Sequence, residues 1–491
     1  MGEALSLSRQ HAVARALRDF LPQRAVLFEE EDTRPYECDG LTAYRQLPMV
    51  VALPETEEQV RQILRTCSAL GVSVVPRGAG TGLSGGALPP GDGVLLSMAK
   101  FMRVLRVDPR ARVAVVQPGV RNAVISEVAA PHGLYYAPDP SSQIACTIGG
   151  NVAENSGGVH CLKYGLTVHN VLRLRGLTID GEPLEVGAEA PDTPGLDLLA
   201  LAIGSEGMLF VVTEVTVKLL PKPQCARVIM ASFDDVEKAG NAVADIVAAG
   251  IIPAGLEMMD RPATRAVEQF VAAGYDLEAA AILLCESDGT EAEVEHEITR
   301  MEAVLAAAGA VRCTVSRNEA ERLRFWSGRK AAFPAVGRIS PDYYCMDGTI
   351  PRARLAEVLA RMRELSAQYG LGVANVFHAG DGNLHPLILY DANKPGEIER
   401  AEAFGADILR LCVEVGGVLT GEHGVGVEKR DLMGTMFDET DLAHQQRLKC
   451  AFDPDGLLNP GKVFPTLHRC AELGRLHVHA GRLPHPDLPR F

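Results

Sequence analysis

The sequence lacks the excess of positive charge that is typical of proteins that bind polyanions. Its 48 lysines and arginines stand against 63 aspartates and glutamates, so the net charge is −15. Binding to nucleic acid needs a basic face, and adsorption to anionic lipid needs basic clusters. We therefore expect no nucleic-acid partner and at most a peripheral contact with a membrane.

Paired cysteines and long apolar runs are missing as well. The eleven cysteines form no C-x-x-C pair, which argues against an iron–sulfur cluster of standard thiolate spacing and favours free thiols in a reducing compartment. No apolar stretch reaches the about 18 uncharged residues of a membrane span, and "MGEALSLSRQHAVARAL" shows no secretory signal. The sequence predicts a cytoplasmic protein that reaches the inner face of the cell membrane, if at all, through partners.

The chain is long enough, and apolar enough, for two or three domains. It has 491 residues, of which 47% are hydrophobic. From about residue 222 the sequence changes to alternating strands and amphipathic helices, among them the strands "ARVIMASF" and "AAILLC" and helices over 234–249 and 291–308. We predict an α+β protein with a first domain over 1–221, an α+β domain over 222–415 and a C-terminal return segment over 416–491.

A glycine-rich stretch, "PRGAGTGLSGGA" (76–87), contains the spacing G-x-G-x-x-G at Gly80, Gly82 and Gly85. It follows a predicted strand–helix–strand unit whose helix has a capping box at Thr56 and Gln59. The apolar face of that helix comprises Val60, Ile63, Leu64, Cys67 and Leu70.

This stretch does not fit a Rossmann loop, which must open a helix. The residues that follow, "LPPGDGVLLSM", predict a turn and a strand, and Leu105 stands where an acidic residue should bind a ribose. No Gly-Lys-Ser/Thr ending marks a P-loop either. A loop between two strands whose backbone N–H groups surround a phosphate is the interpretation that fits.

A second loop-like stretch, "YYAPDPSSQIACTIGGNVAENSGG" (135–158), is rich in small hydrogen-bonding residues. A helix is predicted over about 121–131, just before it. Beyond it, Asp180-Gly181 predicts a hairpin turn, and "GSEGMLFVVTEVTVKLLP" (204–221) predicts a turn followed by a strand from Val211 to Leu219.

Three stretches, "PRGAGTGLSGG", "PDPSSQIACTIGGNVAENSGG" and "GSEGMLFVVTEVTVKL", together resemble the FAD-binding domain of the vanillyl-alcohol-oxidase type. That resemblance implies a two-part FAD-binding domain over 1–221 and an α+β cap, or substrate, domain over 222–415. It also implies that the first loop contacts the pyrophosphate, the second loop lines the flavin, Glu206 and Val212 lie near the adenosine and Asn459 lies near the ring. The residues so assigned are Pro76, Arg77, Gly78, Ala79, Gly80, Thr81, Gly82, Leu83, Ser84, Pro138, Asp139, Ser142, Thr147, Gly149, Gly150, Asn151, Ser156, Gly157, Gly158, Tyr164, Glu206, Gly207, Val212 and Asn459.

The later segments "WSGRKAAFPAVGRISPDYYCMDGTIP", "FHAGDGNLHP" and "GEHGVGVEK" resemble FAD-dependent 2-hydroxy-acid dehydrogenases, a family with glycolate oxidase subunits and D-lactate and D-2-hydroxyglutarate dehydrogenases. The resemblance implies oxidation of glycolate to glyoxylate, and of D-lactate, with electrons passed to partner subunits of an iron–sulfur and a second flavin type. Some relatives attach FAD through a histidine of the first loop. Residues 78–80 offer none, so we expect non-covalent FAD.

The cap segments contain candidates for metal binding and catalysis. His378 and His385 flank a predicted turn, which would place both imidazoles on one side, and Glu422 adds a carboxylate; this set suits zinc or a similar divalent ion. Arg329 is the candidate clamp for the substrate carboxylate, with Arg338 as the second candidate. His423 is the candidate base, because an unperturbed imidazole titrates near pH 6.5.

One departure from the family bears on the substrate. Relatives that act on longer diacids often carry a lysine just before the "DGTIP" segment, where this chain has Cys345 and Met346. Their apolar character favours a small monocarboxylate such as glycolate or D-lactate.

Other interpretations remain open at this stage. They are a D-2-hydroxy-acid dehydrogenase that works alone, a metal-dependent hydrolase with Glu422 or His423 activating water, and a flavoprotein subunit without catalysis of its own. The tail 466–491, which carries four histidines among arginines and prolines, is a weaker candidate for a partner-docking surface.

Overall fold

The computed structural model describes residues 2–190 and 195–465, and the predicted docking tail lies outside them. The first half contains a four-stranded and a five-stranded sheet. In spatial order the strands of the smaller sheet are Val26–Leu27, Val50–Ala52, Val94–Ser97 and Val74–Arg77. Those of the larger sheet are Val104–Asp108, Val113–Val116, Val211–Lys218, Val171–Leu177 and Pro183–Gly187.

Short helices surround these two sheets. They are Gly2–Arg18, Glu30–Thr33, Glu57–Leu70, Asn122–Ala129, Ile148–Glu154, Cys161–Tyr164, Thr167–Asn170 and Leu198–Ala202. The strands Leu134–Tyr135 and Leu220–Pro221 form a two-stranded ribbon, and the chain enters the second half after it. None of the described helices has the length and apolar character needed to cross a bilayer.

The predicted strand–helix–strand unit forms around the helix Glu57–Leu70. Thr56 caps the helix by accepting from the Gln59 N–H, and Gly71 ends it with φ of 58°. Four of the five predicted apolar residues are buried, but Leu70, the last residue of the helix, is 47% exposed. The side chain of Gln59 accepts from the Glu55 N–H, so the predicted reciprocal capping box is not closed at Thr56 itself.

The glycine-rich loop runs between two parallel neighbouring strands and opens no helix. It leaves strand Val74–Arg77 and ends at strand Val94–Ser97. Gly80 and Gly85 have φ values of 70° and 74°, a conformation that disfavours other residues. The prediction of a non-Rossmann loop is therefore confirmed.

The second half is built on a seven-stranded antiparallel sheet. Its strands, in spatial order, are Arg312–Val315, Cys225–Phe233, Ala281–Gly289, Gly255–Asp260, Val373–Phe377, Pro386–Tyr390 and Asp342–Cys345. Strand residues alternate between two apolar clusters, with Ile229 and Ala231 on one face and Val228 and Met230 on the other. A two-stranded ribbon of Gly348–Thr349 and Asn383–Leu384 lies beside this sheet.

Helices cover both faces of this sheet, which explains why its strands read as continuous apolar runs. One face is covered by Val236–Ala248, Glu291–Ala307, Leu355–Tyr369 and Glu397–Glu414. The other is covered by Arg261–Val271, Glu319–Lys330 and Ala332–Val336. The predicted helices over 234–249 and 291–308 match the observed ones to within two residues.

After the helix Glu397–Glu414 the chain runs between the cap and the first half: Val418 pairs with Thr349 of the cap, and Val425 and Met433 pack into the cap core. It passes through the helices Met433–Met436 and Glu439–Phe452. Leu458 then lies beside Val74 as a parallel bridge, and the Asn459 N–H donates to the Val74 carbonyl. The return segment thus packs against the strand that delivers the glycine-rich loop.

The two halves are joined by a partly buried ionic contact centred on His160. Its Nδ1 lies 2.8 Å from Asp139 Oδ2 in the first half, and its Nε2 lies 3.1 Å from Glu286 Oε1 in the cap. Burial alone would lower the pKa of His160, but the two carboxylates outweigh it and raise that pKa well above 6.5. His160 is therefore an imidazolium that links the two halves.

We expect this link to stabilise the protein most at low pH. Because the folded-state pKa exceeds the unfolded one, the contribution is complete below about pH 6.5 and is lost as the pH rises through the folded value. His160→Gln should therefore lower the Tm more at pH 6 than at pH 9. Thermal unfolding of both proteins across that range checks this, and an equal loss at every pH would contradict it.

Candidate flavin cavity and histidine cluster

A cavity of about 400 Å³ lies between the first half, the cap and the return segment. The glycine-rich loop forms one wall with residues 76–83, and Glu206, Gly207 and Val212 lie along a second. The second predicted loop contributes Ser142, Thr147, Gly149, Gly150, Asn151 and Ser156. The cap and the return segment close the other end with Lys330, Phe333, Pro334, His385, Glu422 and His423.

Glycines allow the two loops to touch. A Cβ added to Gly78 would lie 2.3 Å from Thr147 Oγ1, and one added to Gly149 would lie 2.6 Å from the Pro118 Cβ. Thr147 itself caps the helix Ile148–Glu154 by accepting from the Gly150 N–H. Side chains at these glycines would separate the loops and fill the space between them.

The first loop also presents unused donors. Within the described residues, the backbone N–H groups of 78–83 donate to no other protein group. A run of free N–H groups in a glycine-rich turn is a site for a phosphate or pyrophosphate. The loop therefore fits the phosphate end of a dinucleotide cofactor.

The two predicted histidine ligands meet across the turn that joins strand Val373–Phe377 to strand Pro386–Tyr390. The His378 N–H donates to the Asn383 carbonyl, and the ring centroids of His378 and His385 are 5.0 Å apart. Glu422 Oε1 lies 3.1 Å from His378 Nε2 and 3.3 Å from His385 Nε2. The structure thus brings the three predicted metal ligands together.

These residues fit a divalent ion. Their donor atoms lie within 4.8 Å of one another, and both ring nitrogens of the buried His385 have no hydrogen-bond partner in the described chain. Burial would raise the pKa of Glu422, but His378 and His385 hold it well below its usual range, so the carboxylate is ionised. Two imidazoles and one carboxylate are a common ligand set for zinc.

Asp347 belongs to this cluster and was not predicted. Its Oδ2 accepts from the Thr420 hydroxyl at 2.6 Å and from the N–H groups of Gly421 and His423, so it fixes the turn that carries Glu422. Its Oδ1 lies 3.5 Å from His385 Nε2, which makes Asp347, His385 and His423 a second possible donor set. The sequence feature that could have indicated Asp347 is its place in "MDGTI", just after the strand Asp342–Cys345.

The position and the protonation state of His423 suit a general base. It lines the cavity, and its ring stacks on that of His385 at 4.9 Å. Burial lowers the pKa of His423 to about 4, despite the opposing effect of Asp347. The imidazole is therefore neutral near pH 7 and able to accept a proton.

Comparison with known proteins identifies the family. The family described as "FAD binding domain" matches residues 48–187, and that described as "FAD linked oxidases, C-terminal domain" matches residues 222–463. The chain belongs to the FAD-linked oxidases. It is thus an FAD-dependent oxidoreductase, and the residues that line the cavity fit a flavin.

Relatives of this FAD-linked oxidase include the glycolate oxidase subunit GlcD of Escherichia coli K12, which is 63% identical over 98% of this chain and 96% of its own. GlcD of Bacillus subtilis is 37% identical over 87% of this chain and 92% of its own. A D-lactate dehydrogenase of Archaeoglobus fulgidus is 34% identical over 85% of this chain and 92% of its own.

Among solved structures, p-cresol methylhydroxylase superposes with a TM-score of 0.79 at 16% identity, over 94% of this chain and 98% of its own. This likeness confirms the predicted fold, a two-part FAD-binding domain of the vanillyl-alcohol-oxidase type with an α+β cap.

Most of the residues assigned to the cofactor line the flavin cavity, but seven do not. Ser84 and Asn459 support the first loop from behind: the Ser84 carbonyl accepts from the Val427 N–H, and Asn459 Nδ2 donates to the Gly86 and Glu206 carbonyls. The others are Pro138, Asp139, Gly157, Gly158 and Tyr164. Of these, Gly157 donates its N–H to Glu422 Oε2 at 2.9 Å and so joins the second loop to the histidine cluster.

Tyr164 does not line the cavity. Its hydroxyl donates to Asp288 of the cap at 2.8 Å, and its ring meets Tyr135 edge to face. Tyr164, at the end of the helix Cys161–Tyr164, thus contacts a strand of the cap sheet.

Arg338 is not part of the site either. It is exposed, its Nη1 donates to the Gln269 carbonyl, and its guanidinium lies 5.3 Å above the ring of the exposed Phe270. The short helix Ala332–Val336 ends before it and leaves it on the outer surface of the cap. The structure therefore places this second candidate for the carboxylate clamp apart from the cavity wall and the histidine cluster.

Arg329 is buried beside the cluster rather than on the cavity wall. It is 1% exposed, and its Nε donates to Glu257 Oε2 at 2.7 Å. Its Nη2 has no hydrogen-bond partner among the residues described. The neighbouring Lys330 and Phe333 line the cavity instead.

We expect the FAD to be held without a covalent bond. The first loop offers no histidine at 78–80, and the histidines on the described cavity wall, His385 and His423, belong to the cluster. Acid precipitation of the purified protein should release the yellow colour into the supernatant. Flavin that stays with the pellet would contradict this.

Proposed function

We propose that this chain is the flavin-bearing subunit of a glycolate oxidase, which oxidises glycolate to glyoxylate and also accepts D-lactate. The observation that carries the proposal is the opening of a His/His/Glu cluster and a neutral histidine onto the flavin cavity. The likeness to the glycolate oxidase subunits and to a D-lactate dehydrogenase supports the choice of substrate.

Oxidation of a 2-hydroxy acid removes a hydride from Cα and a proton from the hydroxyl. Bound FAD supplies the hydride-accepting chemistry. His423 takes the hydroxyl proton, because its imidazole is neutral and faces the cavity. His378, His385 and Glu422 would hold a divalent ion such as zinc, whose Lewis acidity lowers the pKa of a hydroxyl.

Two parts of the cap select a small acid. Phe333 and Pro334 line the cavity, and the Phe333 ring packs against His385 with centroids 6.4 Å apart, which limits the room beside the cluster. Cys345 and Met346, where relatives that act on diacids often have a lysine, are buried and offer no cation for a second carboxylate. Arg329 stays our candidate for the partner of the single carboxylate because its Nη2 is unpaired, although it lies behind the cavity wall, next to Lys330, which lines it.

Reduced flavin must then pass its electrons on. The chain has no cysteine spacing typical of an iron–sulfur cluster, and the name of the E. coli relative denotes a subunit. We infer that an iron–sulfur subunit and a second flavin-type subunit receive the electrons, and that any contact with the inner face of the membrane is made through them.

Anaerobic mixing with substrates tests the reaction. Glycolate and D-lactate should bleach the flavin within one turnover, whereas a longer 2-hydroxy diacid should bleach it much more slowly. A yellow protein that no 2-hydroxy acid reduces would contradict catalysis, and a colourless one would favour a hydrolase.

Reoxidation tests the need for a partner. Stopped-flow measurement should show slow reaction of the reduced chain with oxygen and rapid reaction with a dye or with the partner subunits. Reoxidation by oxygen at the rate of overall turnover would make the chain a self-sufficient oxidase.

A further inference from the structure

Glu257 is a buried carboxylate next to the histidine cluster that does not line the cavity. It lies on strand Gly255–Asp260, in the middle of the cap sheet, and is 1% exposed. Its Oε1 lies 2.8 Å from His378 Nδ1, and its Oε2 accepts from Arg329 Nε at 2.7 Å. Both carboxylate oxygens are therefore committed to one partner each.

The first contact fixes the state of His378. The oxygens of a carboxylate accept hydrogen bonds, so the hydrogen between the two groups lies on His378 Nδ1. In the neutral imidazole the lone pair is then on Nε2, which faces Glu422 Oε1 at 3.1 Å. A metal ion is bound by such a lone pair, and a carboxylate behind the histidine also makes it a stronger ligand.

The second contact gives Glu257 a counter-charge and holds it in place. A buried carboxylate without a counter-charge is strongly destabilising, and Arg329, itself 1% exposed, supplies the charge. Arg329 comes from the helix Glu319–Lys330 and His378 follows the strand Val373–Phe377. Glu257 thus ties the ligand-bearing turn to two separate elements of the cap.

We propose that Glu257 is a positioning residue that fixes the tautomer and the orientation of His378 for a divalent metal ion, with Arg329 holding Glu257 in turn. This inference rests on the metal site of the proposed function. It assigns a role to a side chain that touches neither the cavity nor the ion.

Glu257→Gln tests the proposal with little change of volume. A glutamine can accept from His378 or from Arg329, but its amide N–H₂ then faces the other donor. We expect the affinity for zinc, measured by competition with a chelator, to fall about 10- to 100-fold, as for other partners of metal-bound histidines. The FAD content should not change, because Glu257 contacts none of the cofactor loops.

Asp260→Asn is the matched control. Asp260 is a buried carboxylate on the same strand, but it accepts from Ala263 and Asn375, outside the cluster. Its variant should keep the zinc affinity of the wild type. Glu257→Asp, which keeps the charge and shortens the side chain, should recover part of the affinity lost in Glu257→Gln.

A measurement on the metal-free protein separates positioning from general damage. The Nδ1 proton of His378 should give a downfield imidazole N–H resonance, identified by its loss in His378→Gln. This resonance should shift in Glu257→Gln and stay in place in Asp260→Asn.

The outcomes distinguish this inference from the proposed function. Zinc affinity within twofold of the wild type in Glu257→Gln would overturn the role of Glu257 and leave the metal site intact. A wild-type protein that binds no zinc would overturn the metal site, and the role of Glu257 with it.

Discussion

Replacement of His378 or Glu422 by alanine is expected to leave FAD bound and to slow its reduction by glycolate at least about a thousand-fold. Lewis-acid assistance is worth several kcal/mol, and each 1.36 kcal/mol is about tenfold in rate. The two side chains contact each other and His385, whereas the free N–H groups that fit the pyrophosphate lie in the first loop. Binding of the cofactor and the chemical step should therefore separate in these variants.

Anaerobic stopped-flow reduction, flavin content and metal analysis together check this result. The wild type should contain about one divalent ion per chain, since the ligands form one site. Because Glu422 also accepts from the Gly157 N–H, Glu422→Gln should accompany Glu422→Ala, and His132→Ala, at an exposed histidine, is the control. A metal-free wild type with full activity would contradict the expectation.

Replacement of Arg329 by methionine is expected to lower kcat/KM for glycolate by about two orders of magnitude. A charge-assisted hydrogen bond to a carboxylate, once lost inside a protein, costs a few kcal/mol. The unpaired Nη2 of Arg329 is the donor available for such a bond, while its Nε is held by Glu257.

The two roles of Arg329 can be told apart. Loss of the substrate contact should raise KM for glycolate at unchanged zinc affinity, whereas loss of support for Glu257 should weaken zinc binding as Glu257→Gln does. An unchanged kcat/KM would remove Arg329 from the site. Lys330, the neighbouring cation on the cavity wall, would then be the residue to test.

The first loop shows what the local sequence is able to predict. A strand before it, prolines and a strand after it, and no helix between them were enough to reject a Rossmann loop, because each of these is a property of adjacent residues. The same holds for the hairpin at Gly181, whose φ of 72° explains the glycine, and for the turn that brings His378 and His385 together.

The sequence did not predict a side chain's contacts where they depend on distant elements. Tyr164 stands within a stretch that resembles a flavin-binding segment, yet Asp288, 124 residues further on, draws its hydroxyl to the cap. In the sequence, Arg338 and Arg329 are similar candidates for the clamp, because both are arginines in the same cap segment. The end of a short helix leaves Arg338 in solvent, while Glu257 holds Arg329 inside.

By itself, the sequence predicted the loop that fits a phosphate and the turn that brings His378 and His385 together, because these depend on residue type and short spacing, whereas FAD was implied by the resemblance to a known family. Only the tertiary structure determined which residues hold the candidate metal ligands in place. Asp347 fixes the turn of Glu422 across 75 residues, and Glu257 fixes His378 across 121. The physical reason is that a buried charge requires a partner in space, and the folding of the cap sheet and the return segment, rather than any spacing along the chain, brings that partner into reach.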